Sequence, residues 1–150
     1  MKLLANNKKA FHEYHILERL EAGISLIGPE VKSIKEGKVN IKESYLEINK
    51  GEMFIHGMHV SPYKEGSIHN DDPLRVRKLL LHQKEIQRFY KEVTQTGTTM
   101  VPLKVYINDK GLIKLEVALA KGKKLYDKRE ALKEKDASRQ IDRALKNMRG

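Results

Sequence analysis

The 150-residue sequence predicts a mainly β fold with short helices: a small antiparallel β-barrel over residues 1–120, followed by a basic C-terminal tail over 121–150. Three observations carry this expectation. First, Leu103, Val105 and Ile107 alternate with Lys104 and Tyr106, and Ile113, Leu115, Val117 and Leu119 alternate with Lys114 and Glu116. Side chains alternate across a strand, so each run has one apolar face and one wet face. Second, over residues 1–120 helical spacing is confined to two short segments. Third, beyond Ala120 charged residues crowd the sequence while core-forming residues thin out.

In order, the chain opens on the basic pair Lys8-Lys9 and then turns strand-like. Tyr14, Ile16 and Leu20 share one phase, with Glu13, His15 and Arg19 outward or at an edge. Ala22-Gly23 interrupts that strand, and Ile24, Leu26 and Ile27 resume an apolar segment. Gly28-Pro29 then opens a helix of about two turns. Pro29 has no N–H to leave unpaired in the first turn, and Glu30 complements the positive end of the dipole. Val31 and Ile34 keep helical spacing, and Gly37 stops it. Tyr45–Ile48 and Met53–His56 flank Asn49-Lys50-Gly51 as a hairpin. From Ser61-Pro62 to Asp72-Pro73 the residues are turn formers without periodicity, a surface loop longer than most connections.

Ile86, Phe89, Tyr90 and Val93 stand at i, i+3, i+4 and i+7 and mark a second helix, which Gly97 ends. Asn108-Asp109-Lys110-Gly111 turns the chain between the last two strands. Strands around two short helices, joined by antiparallel hairpins, suggest a small closed or partly open barrel of the OB type.

Composition narrows the function. There is no cysteine, which removes disulfide frameworks, thiolate nucleophiles and Cys-ligated zinc. No apolar run approaches the roughly 20 residues of a membrane span. The opening MKLLANNKKAF lacks the apolar centre of a secretory signal, so a cytoplasmic protein is expected. Net charge is +10, and it is uneven: nineteen Lys/Arg against fifteen Asp/Glu over 1–120, but eleven against five over 121–150. Concentrated positive charge attracts polyanions, of which RNA is the most abundant in the cytosol. The plainer alternative is a solvated basic tail.

Catalytic signatures are missing. His56 and His59 in HGMH are three apart, which on a strand sends them to opposite faces rather than to one metal. Gly122-Lys123-Lys124 lacks the upstream glycine and the final Ser or Thr of a phosphate-binding loop. No enzyme activity, metal or cofactor is expected. The candidates for RNA contact are basic. Lys8 and Lys9 with His12 suit phosphate, or form an ordinary basic terminus; Arg75 to Lys78 suits phosphate, or solvates a loop. In the tail, Lys121, Lys123, Lys124, Lys128 and Arg129 surround Tyr126, an aromatic fit to stack on a base or to fold back on the barrel. Ala137, Ile141, Ala144, Leu145 and Met148 keep a thin helical stripe. A tail so poor in core formers is expected to be disordered alone and helical when bound.

NKKAFHEY (7–14), EAGISLIGPEVKSIKEGKVNIKESY (21–45), GMHVSPY (57–63), DPLRVRKLLLH (72–82), VPLKVYI (101–107) and AKGKKLYDKRE (120–130) occur together and in this order. In these runs the chain closely resembles the tmRNA-binding small protein B family, also called SsrA-binding proteins. The resemblance implies an OB-like barrel that binds the tRNA-like domain of tmRNA and supports its alanylation. It also implies delivery of alanyl-tmRNA, with elongation factor Tu, to stalled ribosomes for trans-translation. By the same resemblance Glu21, Leu80 and His82 belong to the tmRNA face, near Lys8 and Lys9. Gly122, Lys123, Lys124, Tyr126, Asp127, Lys128 and Arg129 would sit at the small-subunit decoding centre. Residues beyond, with Ala144 and Leu145 at apolar contact positions, would become helical in the empty mRNA path. Two positions depart from the family pattern: His82 stands where many relatives have Asn, and Phe11 where Arg is usual.

Overall fold

The hairpin read most plainly from the sequence is the backbone of the fold. Strand β8 (Thr99–Ile107) pairs antiparallel with β9 (Ile113–Gly122), from Thr99↔Ala120 to Ile107↔Ile113. The computed structural model describes residues 1–63 and 72–123. Met1–His12 and Ile16–Ala120 form one unit, while Glu13–His15 group with the segment that begins at Lys121.

Before the hairpin come β1 (Lys2–Asn6), α1 (Lys8–Glu13), β2 (Tyr14–Ile24), α2 (Gly28–Lys35), β3 (Val39–Asn40), β4 (Tyr45–Asn49), β5 (Glu52–His56), β6 (His59–Val60), β7 (Arg77–Leu80) and α3 (Gln83–Thr96). Seven strands form one sheet in the order β1-β8-β9-β2-β7-β5-β4, and β3 pairs with β6 separately. The far edge, β4, comes round to lie against β8. A curved antiparallel sheet closed in this way is the expected mainly β, OB-like barrel with short helices.

The interior is filled by the inward phase of each strand. Ala22 and Ile24 from β2, Met53 and Ile55 from β5, Leu79 from β7, Val105 from β8, and Leu115 and Val117 from β9 are buried in one cluster. Helix α3 adds Ile86 and Phe89 to it and packs against β5 and β8. Its last turn ends at Gly97, whose φ of 74° is the left-handed conformation that closes a helix without a Cβ clash. Among the described residues no helix is long and apolar enough to cross a membrane.

Several local expectations need correction. Lys8 and Lys9 do not run into a strand: they open α1, because Asn7 caps it. The Asn7 Oδ1 accepts the Ala10 N–H at 3.2 Å, while Asn7 Nδ2 donates to the Pro102 carbonyl at 2.9 Å. The helix is thus pinned to β8 where the ladder slips at Pro102/Lys104. Ala22-Gly23 does not interrupt β2, which runs unbroken to Ile24. The β9 outer face is not wholly wet, since Ala118 and Ala120 are buried. His56 and His59 do not share a strand. They end β5 and begin β6, across Gly57 with φ of 76°, where an added Cβ would meet the Glu43 carbonyl at 2.7 Å. The expected loop after Ser61 lies partly outside the described residues.

Candidate nucleic-acid interface

Alternation fixes what the barrel shows to solvent. With Ala22 and Ile24 inward, Glu21 and Gly23 face out from β2; with Leu79 inward, Lys78 and Leu80 face out from β7. The two strands pair Gly23↔Leu80. Gly23 leaves room for Leu80 there, because a Cβ on it would stand 3.2 Å from the Leu80 Cβ. Leu80 is left 52% exposed, an apolar plate on an otherwise polar face. Two residues on, His82 caps α3, its backbone N–H donating to Glu85 Oε1 at 3.1 Å. Glu21, Lys78, Leu80, His82, Glu85 and Lys114 line one groove of about 570 Å³. Three of the residues singled out in the sequence, Glu21, Leu80 and His82, are therefore brought together.

The groove is electrostatically mixed rather than cationic. Lys78 is neutralised by Glu52 at 2.7 Å. Glu21 Oε2 accepts a hydrogen bond from the Tyr106 hydroxyl, which reaches over from β8. Burial, then this hydrogen bond, push the Tyr106 phenol well above its ordinary value, so it stays a donor throughout the working pH range. One carboxylate oxygen is thus oriented by the protein while Oε1 remains an acceptor at the groove. A carboxylate held this way repels phosphate but accepts from the amino and imino groups of a base edge. Leu80 offers the apolar surface on which a base or ribose can lie. Tyr106 and Lys114 pair across β8 and β9. The sequence reading missed both: its alternation put them on the wet face, where Lys114 does line the groove, but Tyr106 is buried, only 6% exposed, and acts through Glu21.

The remaining candidates fall elsewhere. Lys8, Lys9 and His12 are exposed on α1 and do not line this groove. Phe11, on the same helix, carries the Arg19 guanidinium 5.6 Å above its ring, and Arg19 also reaches Glu116 at 3.5 Å. A cation is therefore present beside Phe11, supplied by the next strand. The Arg75 to Lys78 cluster is not a phosphate patch. Arg77 is fully buried and donates to Glu30 Oε2 from Nη2 at 2.6 Å, and Arg75 donates to Glu30 Oε1 at 2.6 Å. Gly122 ends β9 and Lys123 follows it. Lys124, Tyr126, Asp127, Lys128, Arg129, Ala144 and Leu145 lie outside the described residues. His56 is stacked on Tyr45 and bonded to Glu47 at 2.6 Å. Among the described residues no group of three metal-ligating side chains is placed to hold an ion.

A family model described as SmpB protein matches residues 4–147. The SsrA-binding protein of Enterococcus hirae is 57% identical over 146 residues, covering 97% of this chain and 94% of its own. The SsrA-binding protein of Clostridium acetobutylicum is likewise 57% identical over 146 residues, 97% of this chain and 94% of its own. Among solved structures, a chain from "tmRNA-SmpB: a journey to the center of the bacterial ribosome" superposes with a TM-score of 0.64 at 47% identity, over 79% of this chain and 82% of that one. The shared barrel and the near-complete sequence match agree, and this chain belongs to the SmpB protein family.

Proposed function

We infer that this protein binds the tRNA-like domain of tmRNA and carries alanyl-tmRNA to stalled ribosomes for trans-translation. The observation that supports this most directly is the convergence of Glu21, Leu80 and His82 on one groove whose chemistry suits base edges and riboses. Relatives named for SsrA binding, and a related chain solved with tmRNA in the ribosome, support the same reading. In it the barrel, residues 1–120, holds the RNA through Glu21, Leu80 and His82, while Lys8, Lys9 and His12 meet phosphates nearby. The tail, residues 121–150, senses the empty mRNA path. Gly122, Lys123, Lys124, Tyr126, Asp127, Lys128 and Arg129 act at the decoding centre, with Ala144 and Leu145 making apolar contacts further along. Elongation factor Tu joins through the alanyl-tmRNA, the protein works in the cytoplasm, and it acts by positioning RNA rather than as an enzyme.

Titration of the protein against tmRNA, tRNA and an unstructured RNA at one fixed salt concentration tests this reading. Fixing the salt matters because phosphate contacts alone make any basic protein bind RNA more tightly as salt falls. Preference for tmRNA is expected. Equal affinity for all three would reduce the protein to a general RNA-binding barrel.

A further inference from the structure

The groove of Glu21, Leu80 and His82 does not end at α3. Gln83 Nε2 donates to the Gly51 carbonyl at 3.2 Å, tying the start of α3 to the β4–β5 turn. On the far side of this bridge lies a second cavity of about 480 Å³, lined by Asn49, Lys50, Gln83, Ile86, Gln87 and Tyr90 among others. Gly51, Gln83 and Ile86 line both cavities, so the two adjoin across the first turn of α3.

Their chemistry differs. The first groove includes the carboxylates of Glu21, Glu52 and Glu85, whereas no carboxylate lines the second. In place of carboxylates it has three side-chain amides, Asn49, Gln83 and Gln87, each both donor and acceptor. Lys50 adds a cation from a tight left-handed turn, with φ of 53° at Lys50 and 78° at Gly51. Tyr90 closes the set. The helical spacing predicts it in the core stripe with Ile86 and Phe89, yet it is 54% exposed. An accessible aromatic ring, neutral amides and one ammonium are the combination that stacks an unpaired base, reads its edge and holds its phosphate.

We propose that this second cavity is a base pocket for an unpaired nucleotide of the bound RNA, with Tyr90 as its stacking platform. Gln87 and Asn49 meet the base edge and Lys50 the adjoining phosphate. The proposal rests on the reading that the Glu21 groove holds the tRNA-like domain, and it extends that contact along α3.

The test uses the full-length protein and a transcript of the tRNA-like domain, with affinity and base-specific chemical probing as readouts. Tyr90→Ala should weaken binding about tenfold, within the range that removing one stacked base produces. It should also expose one unpaired nucleotide that the unsubstituted protein shields. Tyr90→Phe keeps the ring and should bind within about twofold of the unsubstituted protein, because stacking needs only the π face. Gln87→Ala, at an exposed helical position, should cost about threefold, the scale of one hydrogen bond. Affinities within twofold and an unchanged probing pattern for both Tyr90→Ala and Gln87→Ala would overturn the pocket. If the unsubstituted protein still prefers tmRNA over tRNA in that case, the pocket fails while the proposed function stands.

Discussion

Glu21 and Tyr106 are 85 residues apart in sequence, yet the phenol of one sets the orientation of the other's carboxylate. Alternation puts Tyr106 on the face opposite Leu103 and Val105, the family resemblance singles out Glu21, and no spacing rule joins the two. Only the sheet order, with β9 between β8 and β2, puts the Tyr106 hydroxyl at Glu21. The separation gives a graded expectation. Glu21→Ala removes the acceptor proposed to meet the RNA and should weaken binding to the tRNA-like domain about tenfold or more, the scale of a lost charge-assisted hydrogen bond. Tyr106→Phe leaves the carboxylate in place and frees its rotation, so its loss should be smaller, about threefold. Fluorescence anisotropy at fixed salt measures both. Glu21→Ala leaves the buried Tyr106 hydroxyl without its acceptor, so by circular dichroism the variant should stay folded at about 25 °C with a modestly lowered melting midpoint. A melted spectrum would make Glu21 a structural carboxylate at a strand edge.

The elements α2 and β7 are joined by a charge cluster that the sequence disguises. Glu30 was legible as a first-turn acid of α2, and Arg75 and Arg77 as a basic run, and each description is locally correct. Arg75 lies in the turn just before β7 and Arg77 opens the strand, and both guanidiniums reach one partner. Burial of that partner could not be read, because it depends on α2 packing beside β7. In the fold, Arg77 also donates to the Met58 carbonyl at 2.7 Å, so the cluster holds the turn before β6 as well. Removing Glu30 leaves a buried guanidinium without its counter-charge. Glu30→Gln should therefore cost roughly 3–5 kcal/mol of stability in urea titrations. Burial alone would raise the Glu30 carboxyl. The hydrogen bonds from Arg75 and Arg77 and from the Ile27 N–H outweigh it and hold the group below its usual range. A carboxyl depressed in the folded state contributes stability that is present above its unfolded pKa, about 4.3. That stability is lost as pH falls through the lower folded value. Glu30→Gln should flatten this acid limb, and an unchanged limb would place the titrating group elsewhere.

Across the whole molecule, the parts legible in the sequence are those set by local period: the β8–β9 and β4–β5 hairpins, the α3 stripe and the stop at Gly97. The parts that were not legible depend on distant partners, such as α1 pinned to Pro102 through Asn7, β1 laid along β8, and the two-residue β3 and β6 strands. The same distinction bears on how the two proposed activities separate. Among the described residues, every one that lines the groove and every one of the buried core precedes Gly122, where β9 ends. Because β9 runs two residues past Ala120, a cut at Ala120 would shorten the strand, whereas a stop after Lys123 preserves it. The chain ending at Lys123 should fold, and should bind the tRNA-like domain within about tenfold of the full protein, or 1.4 kcal/mol. It lacks Lys124, Tyr126, Asp127, Lys128 and Arg129, so peptide tagging on ribosomes stalled without mRNA in the A site should be abolished. Tyr126→Ala in the full chain should lower tagging in the same direction with tmRNA affinity unchanged, since one lost stack is worth about 1–3 kcal/mol. A truncated chain that folds but loses tmRNA binding along with tagging would show that the tail helps to hold the RNA, and the division of labour at Gly122 would fall.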